Sequence, residues 1–126
     1  MKQNWSRQWG KSKQPRKQRK YSYNAPLHII RKFMSARLSK ELKQKYGKRN
    51  FPVRKDDKVK IMVGQFKGKI GKIEEINLKR RRIYIEGVFF TKKDGNKIKH
   101  SIHPSNLLIL DLNLDDKLRR KALERK

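Results

Sequence analysis

Apolar and polar residues alternate along the middle of the chain with the period of two that is typical of β-strands. The pattern occurs at residues 59–63, where valine and isoleucine alternate with lysine and methionine, and again at residues 83–86. Residues 69–76 are a third run of this kind, in which Gly71 predicts a β-bulge. Each run is expected to bury one face and to leave the other in solvent.

Further apolar runs continue the pattern toward the C-terminus. Residues 88–92 and 97–102 flank Asp94-Gly95, a pair that is typical of tight β-hairpin turns. Residues 107–110 predict the last strand. Short strands joined by glycine-containing turns are typical of small barrels, so we expect a mainly β fold with α-helices added to an SH3-like barrel over residues 51–111.

The apolar spacing becomes helical upstream of the barrel, over residues 26–50. Asn24 and Pro26 predict the start of one short helix, the first as its cap and the second in its first turn. Ser39 predicts the N-cap of a second helix, which Gly47 ends. Both are expected to pack on the barrel or on a ligand, because helices this short are unstable alone. Their apolar positions are Leu27, Ile30 and Met34 in the first and Leu38, Leu42 and Tyr46 in the second.

The two ends of the chain carry the remaining predictions of structure. Residues 112–126 predict a C-terminal helix from about Asp115, with acidic residues first and basic residues later, as suits the helix dipole. Its expected docking residues are Leu114, Leu118 and Ala122. Residues 1–25 are expected to form a basic extended arm.

Charge changes this picture by indicating the kind of partner. The 126 residues include 37 Lys and Arg against 11 Asp and Glu, a formal net charge of +26. A globular protein of this size would repel itself at such a charge, so we expect it to lie beside a polyanion. Twelve of the basic residues precede the first carboxylate, which is Glu41.

Two interpretations of this acid-free stretch are open. Charge runs are often solvated, disordered tails. The aromatic residues within the stretch favour an arm that is ordered on RNA, because such rings can stack on bases. They are Trp5, Trp9, Tyr21 and Tyr23. A membrane partner is not expected, since residues 11–20 contain no aliphatic side chain and no run approaches the roughly 20 apolar residues that span a bilayer.

The loop at residues 64–68 is the sharpest candidate contact with nucleic acid. Its two glycines let the backbone approach a phosphate, while Lys67 and Lys69 supply positive charge. Phe66 offers a ring for stacking or, alternatively, folds back to cap the barrel. The basic run at residues 79–82 is a second candidate; a solvated turn is its alternative, but a phosphate backbone would relieve the repulsion of four adjacent cations.

The sequence shows no constellation for catalysis. His100 and His103 lie near two serines, but neither an orienting acid nor a glycine-rich oxyanion donor accompanies them. These histidines are expected to be exposed or to face phosphate. The chain has no cysteine, and no zinc spacing, Walker loop or dinucleotide fingerprint occurs. We expect a binding protein that is not an enzyme, with no cofactor, metal or small-molecule substrate.

Residues 59–73 resemble the KOW motif, a strand–loop–strand unit of ribosomal proteins and transcription elongation factors. The flanks are similar to the archaeal and eukaryotic form of the large-subunit ribosomal protein L-twenty-four family, which is numbered twenty-six in older eukaryotic naming. Together the resemblance extends over residues 12–125. The flanking segments that carry it are residues 13–20, 23–28, 38–42 and 102–106.

The resemblance implies a KOW barrel docked on the 5′ domain of large-subunit ribosomal RNA, near the exit of the nascent-chain tunnel. It also implies an early role in subunit assembly, contacts with neighbouring large-subunit ribosomal proteins, and a location in the cytoplasm, in the ribosome. The arm would thread between RNA helices. The candidate rRNA-binding residues are Lys13, Arg16, Lys17, Arg19, Lys20, Tyr23, His28, Arg31, Lys32, Gly64, Gln65, Phe66, Lys67, Gly68, Lys69, Lys79, Arg80, Arg81, Arg82, His103 and Ser105.

Several positions depart from the family pattern. Asp56 stands where the family usually has glycine, and Arg37 where it usually has proline. Val63 and Gln65 replace a common Arg and a common Asp, so the loop is expected to keep its fold while its RNA contact differs. Residues 1–11 fall outside the resemblance and are interpreted as an extension that lies on RNA.

Two other functions compete with the ribosomal one. A KOW-type transcription elongation factor would resemble this chain only across the KOW unit, and the acid-free arm fits that function poorly. A nonspecific DNA-compacting protein would bind duplex DNA and ribosomal RNA equally, whereas the aromatic loop and irregular arm favour RNA.

Overall fold

A computed structural model describes residues 5–125 of the chain. The predicted ends of the arm and of the C-terminal helix, residues 1–4 and 126, lie outside the described residues. The helices are α1 (Pro15–Tyr23), α2 (Leu27–Phe33), α3 (Lys40–Tyr46) and α4 (Lys117–Glu124), with short 3-10 turns at Arg7–Lys11 and Pro104–Asn106. The strands are β1 (Ser35–Leu38), β2 (Asn50–Pro52), β3 (Lys58–Ile61), β4 (Ile70–Asn77), β5 (Arg82–Thr91), β6 (Lys97–Ile102) and β7 (Leu107–Asp111).

The strands form one seven-stranded mixed sheet in the order β2-β1-β7-β3-β4-β5-β6. Neighbouring strands are antiparallel, except that β1 runs parallel to β7, with Arg37 beside Leu108. This architecture confirms the expected mainly β fold with added helices, and it is consistent with a small barrel-like domain.

The core lies on the inner face of this sheet, where the predicted alternation places it. Val59, Ile61, Ile83 and Ile85 are all buried, as the period of two requires. The first predicted run ends early, however: β3 stops at Ile61, and Val63 is 60% exposed beside the following loop. Apolar burial here supplies the main stabilisation of a domain with few apolar residues.

Two strand predictions need correction. The runs at residues 88–92 and 83–86 are one strand, β5, whose pairing register shifts between Tyr84 and Phe89 so that the strand bends without ending. Gly71 is not at a bulge, because it pairs in register with Val59, and the shift in β4 lies between Ile73 and Glu75. Instead, Gly71 lets two strands approach closely, since a Cβ there would lie 2.8 Å from the Glu86 carbonyl oxygen.

The sequence predicts an extended N-terminal arm, but part of this arm is helical. Residues 15–23 form α1, which starts at Pro15 with a ring that suits the first helical position. Asn24, predicted to cap the next helix, is instead the C-cap of α1, and its N–H donates to the Lys20 carbonyl. In α2, Ile30 is buried, and Met34, which follows the helix as its C-cap, is buried as well, while Leu27 is exposed.

The predicted second helix is confirmed, and Leu42 and Tyr46 of its apolar stripe pack against the core, although Leu38 precedes the helix. Ser39 accepts a hydrogen bond from the Leu42 N–H, and Gly47 is the C-cap of α3. Leu38 belongs to β1, which the sequence analysis missed together with β2. Both strands are short and lie at one side of the sheet, where the pairing of β1 with β7 and of β2 with β1 decides their conformation more than their own spacing does.

The C-terminal helix begins after Asp116, whose side chain accepts a hydrogen bond from the Leu118 N–H. That bond and a second backbone hydrogen bond hold the pKa of Asp116 below its usual value. Docking through Leu118 is wrong, because this side chain is 76% exposed. Leu123 and Arg119 are the buried residues of α4, whereas the predicted Leu114 and Ala122 pack against the core at its edge.

Candidate nucleic-acid interface

The basic turn between β4 and β5, residues 79–82, is held in a defined shape. The Arg80 N–H donates to the Asn77 side-chain oxygen at 2.9 Å, and the Arg81 N–H donates to the Leu78 carbonyl at 3.2 Å. Arg81 has a positive φ of 53°, which ends the tight turn. As a result, Arg82 and Arg81 line two different cavities on the surface.

Arg82 lines a cavity of about 170 Å³ that it shares with the glycine loop. Gly64, Gln65 and Phe66 form one wall of this cavity, and His103 lies on another. Three regions that the sequence predicts separately as contacts, namely the loop, the basic turn and His103, therefore meet in one place. Their polar groups are backbone amides, a guanidinium, an amide and an imidazole, which is a donor-rich set suited to phosphate or a base edge.

The loop itself is a compact turn stabilised by its own backbone. The Lys67 N–H donates to the Gly64 carbonyl at 3.0 Å, and the Gly68 N–H donates to the Ile61 carbonyl at 2.8 Å. Gly64 and Gly68 have φ values of 98° and 90°, a region that other residues rarely adopt. Two glycines are thus required by the turn, whatever the loop binds.

Phe66 folds back onto the domain, as the alternative interpretation of this residue proposed. Its ring centroid lies 5.3 Å from that of Phe90 and 5.3 Å from that of His100, and the ring packs against the core. The Lys69 ammonium lies 5.0 Å from the same ring. Phe66 is therefore a partly buried wall of the cavity and not a free stacking platform at the tip of the loop.

His103 is held in one orientation by the residue that follows its proline. The Ser105 N–H donates to His103 Nδ1 at 3.3 Å, and the Ser105 hydroxyl lies 2.8 Å from the same atom. Partial burial, with Arg82 and Arg81 nearby, holds the pKa of His103 below its usual value. The neutral ring that this favours accepts at Nδ1 and so carries its proton on Nε2, which can donate to an anion.

Arg81 lines a second cavity, of about 330 Å³, between the turn and α1. Arg19 and Tyr21 lie on its helical side, and the Arg81 guanidinium is 5.8 Å from the Tyr23 ring. The turn thus connects the loop cavity to the arm, and Arg81, Arg82, Tyr23 and the loop form one basic surface.

The remaining predicted residues do not line these two cavities. His28 and Lys32 line a third cavity beside Tyr21, and the Lys20 ammonium lies 5.1 Å from the Trp9 ring. Ser105 is exposed and contacts His103. The other predicted side chains that are exposed and line none of the three cavities are Lys13, Arg16, Lys17, Arg31, Lys67, Lys79 and Arg80.

Few of the cations are neutralised within the molecule. Over residues 5–125, three ion pairs occur, namely Arg54 with Asp116, Lys99 with Glu74, and Arg119 with Asp57. None of the predicted contact residues takes part in these pairs. Their positive charge is therefore available to an external anion.

The candidate contact residues predicted from the sequence leave out three polar residues of the loop cavity, His100, Ser101 and Asn106, and one basic residue of the arm, Arg7. Asn106 lines the cavity, and its carbonyl accepts a hydrogen bond from the Met62 N–H. Arg7 lies next to Trp5 in the third cavity. Asn106 belongs to a segment that resembles the family, which could have indicated it, whereas nothing in the sequence distinguishes Arg7 from other exposed cations.

Within the described part of the chain, no three His, Asp or Glu side chains are grouped as metal ligands would be. No helix found between residues 5 and 125 has the length and apolar character needed to cross a membrane.

Comparison with known proteins identifies the family. The sequence family of ribosomal proteins described as L26 in eukaryotes and L-twenty-four-P in archaea matches residues 12–126. The chain is also similar to the large ribosomal subunit protein uL24 of Methanosphaera stadtmanae, with 50% identity over 115 residues, which cover 91% of this chain and 98% of that protein. The chain therefore has both a basic surface around a KOW loop and a sequence match over almost its whole length. The protein belongs to the ribosomal protein family of eukaryotic L26 and archaeal L-twenty-four-P.

Proposed function

We propose that this protein is a structural constituent of the large ribosomal subunit, where it binds and stabilises ribosomal RNA. The proposal is supported by family membership and by a relative that is itself a large-subunit protein with half of its residues identical. A transcription elongation factor is not favoured, because the match extends far beyond the KOW unit. The protein acts by binding and performs no reaction.

One observation carries the proposal beyond family membership: the basic turn joins the loop cavity to the arm. Arg82 and His103 face the loop, while Arg81 faces Tyr23 on the other side. Cations on both sides of a narrow turn can contact phosphates of two separate backbone segments. Folded RNA brings such segments together, whereas a regular duplex offers them at fixed spacing.

The more specific location rests on the resemblance of the loop and the arm to the family pattern. The barrel docks on the 5′ domain of the large-subunit RNA near the nascent-chain exit, beside neighbouring ribosomal proteins. There the unneutralised cations of α1 offset phosphate repulsion between RNA helices that must approach each other early in assembly. The protein therefore works in the cytoplasm, in the ribosome.

The test compares two double variants in binding to a transcript of the 5′ domain. Arg81→Gln with Arg82→Gln removes two charges from the centre of the surface, and Lys92→Gln with Lys93→Gln removes two from the exposed β5–β6 hairpin. Because charge-assisted hydrogen bonds are worth more than diffuse attraction, the first pair is expected to weaken binding at least about tenfold. The control pair is expected to weaken it less than about threefold.

The outcome is judged by filter binding at one fixed salt concentration, and by sedimentation of the full chain with large subunits. Equal losses in the two variants would mean that the turn is not the interface. Failure of the full chain to co-sediment with large subunits would contradict the proposed function itself.

A further inference from the structure

The first described residues of the chain, which precede the family match at residue 12, fold back onto the helices. Trp5 stacks on Tyr21 with ring centroids 5.3 Å apart and planes inclined by 24°. The Trp5 indole N–H donates to the Tyr21 carbonyl at 2.9 Å. Tyr21 in turn meets Phe33 edge-on at 5.7 Å, so that three rings link the extension, α1 and α2.

Other contacts hold the extension against α1. The Gln18 side-chain amide donates to the Gly10 carbonyl at 2.9 Å and to the Ser12 carbonyl at 2.6 Å. A Cβ on Gly10 would lie 3.2 Å from the Tyr21 ring, so the extension passes close to that ring. The extension thus has a fixed place in the fold, which a merely solvated tail would not need.

Between the extension and the helices lies a cavity of about 310 Å³. Its walls include three aromatic side chains, Trp5, Tyr21 and Phe33, and three basic ones, Arg7, His28 and Lys32. No carboxylate precedes Glu41 in the sequence, so the cations Arg7 and Lys32 have no acidic neighbour along the arm. Rings together with unneutralised cations suit a ligand that is both planar and anionic.

We propose that this cavity captures a single unpaired nucleotide of RNA, with its base against the aromatic side chains and its phosphates on Arg7 and Lys32. The volume is near the lower limit of about 300 Å³ for small-molecule sites, as suits one nucleotide and not a longer segment. Ile29 is the one aliphatic residue of the lining, whereas a lipid would need mostly aliphatic walls. An acidic peptide would leave the rings without a partner. This proposal rests on the proposed function and gives the extension its own RNA contact.

The test uses tryptophan fluorescence, because the chain has two tryptophans. In the Trp9→Phe variant, Trp5 is the single tryptophan and reports directly on the cavity. Titration of that full-length variant with hexauridylate and with hexaadenylate is expected to quench its fluorescence saturably, since a base that stacks on or beside the indole changes its emission. A negatively charged peptide of six glutamates provides the comparison for charge alone.

Matched variants separate the cavity from general charge. In the Trp9→Phe background, Arg7→Gln with Lys32→Gln is expected to weaken oligonucleotide binding about tenfold. Lys92→Gln with Lys93→Gln removes the same charge from exposed positions of the β5–β6 hairpin that do not line the cavity, and it is expected to have less than about a third of that effect. Circular dichroism of each variant checks that α1 is still folded.

Three results would overturn the proposal: no saturable quenching, equal quenching by the glutamate peptide, or equal weakening by the two double variants. Binding of the full chain to ribosomal RNA is measured in parallel. If that binding persists while the cavity variants behave like the control, the cavity proposal fails and the proposed function stands. If the full chain does not bind ribosomal RNA, the proposed function fails, whatever the oligonucleotide titration shows.

Discussion

The pair formed by Asp57 and Arg119 shows how single residues fix the C-terminal helix. Asp57 is fully buried, and its carboxylate accepts from both Arg119 terminal nitrogens, at 2.7 and 2.6 Å. It also accepts from the backbone N–H groups of Arg54 and Asn113. Arg119 donates further to the Asn113 and Pro52 carbonyls. A buried ion pair is tolerated when its remaining groups are satisfied in this way.

Replacement of Arg119 by methionine is therefore expected to be strongly destabilising. Methionine keeps most of the side-chain volume but leaves the Asp57 carboxylate buried without its partner, a change that costs about 3–5 kcal/mol of unfolding free energy. The measurement is urea denaturation of the free protein. Arg120→Met, at an exposed neighbouring position of α4, is expected to change the free energy by less than about 0.5 kcal/mol. A loss of the same size in both variants would show that the pair does not hold the helix.

At this scale the sequence could indicate conformation but not distant partners. The family glycine that Asp56 replaces is explained by a φ of 69°, a region where glycine has no strain and aspartate is tolerated. Arg119, by contrast, lies 62 residues from Asp57 and resembles every other cation of the last helix. Its burial depends on the folded position of α4, which no local pattern contains.

At the scale of elements, the predictions succeeded where burial on one face determines the structure. β3 and the first half of β5 followed from alternation, and α3 followed from its two caps. β1 and β2 were missed because strands of four and three residues are too short to show a period. α1 was missed because its positions are almost all polar, and what identifies it is contact with the extension through Gln18 and Tyr21.

Close approach of strands at Gly71 leads to a second stability prediction. Gly71→Ala would place a methyl group 2.8 Å from the Glu86 carbonyl oxygen and 2.8 Å from an Ile85 methyl group. Because backbone cannot move aside as a flexible side chain can, overpacking is expected to cost about 1–3 kcal/mol. Thermal unfolding measures the loss, with Lys72→Ala at the next, exposed position as the control. A variant as stable as the control would mean that β4 and β5 separate without cost.

At the scale of the whole molecule, the small core and the large positive charge have complementary functions. The core positions the loop, the turn and α1, and most of the cations remain outside it. Within residues 5–125, ion pairs involve three cations, so the folded protein still carries most of its repulsion. RNA would relieve that repulsion, and binding would release the counterions that phosphates otherwise hold.

The salt dependence of the binding constant then reports the number of phosphates that the surface neutralises. For Z phosphates, the slope of log K against log salt is about −0.7Z to −0.9Z, so Arg81→Gln with Arg82→Gln is expected to flatten it by roughly 1.4–1.8. Lys92→Gln with Lys93→Gln should leave the slope within about 0.5 of the parent value if the hairpin makes no phosphate contact. Filter binding to the 5′ domain transcript over about a tenfold range of potassium chloride gives both slopes. If the turn variant lowers affinity without changing the slope, its arginines stabilise the surface by contacts such as that of Arg81 with Tyr23 and do not hold phosphate.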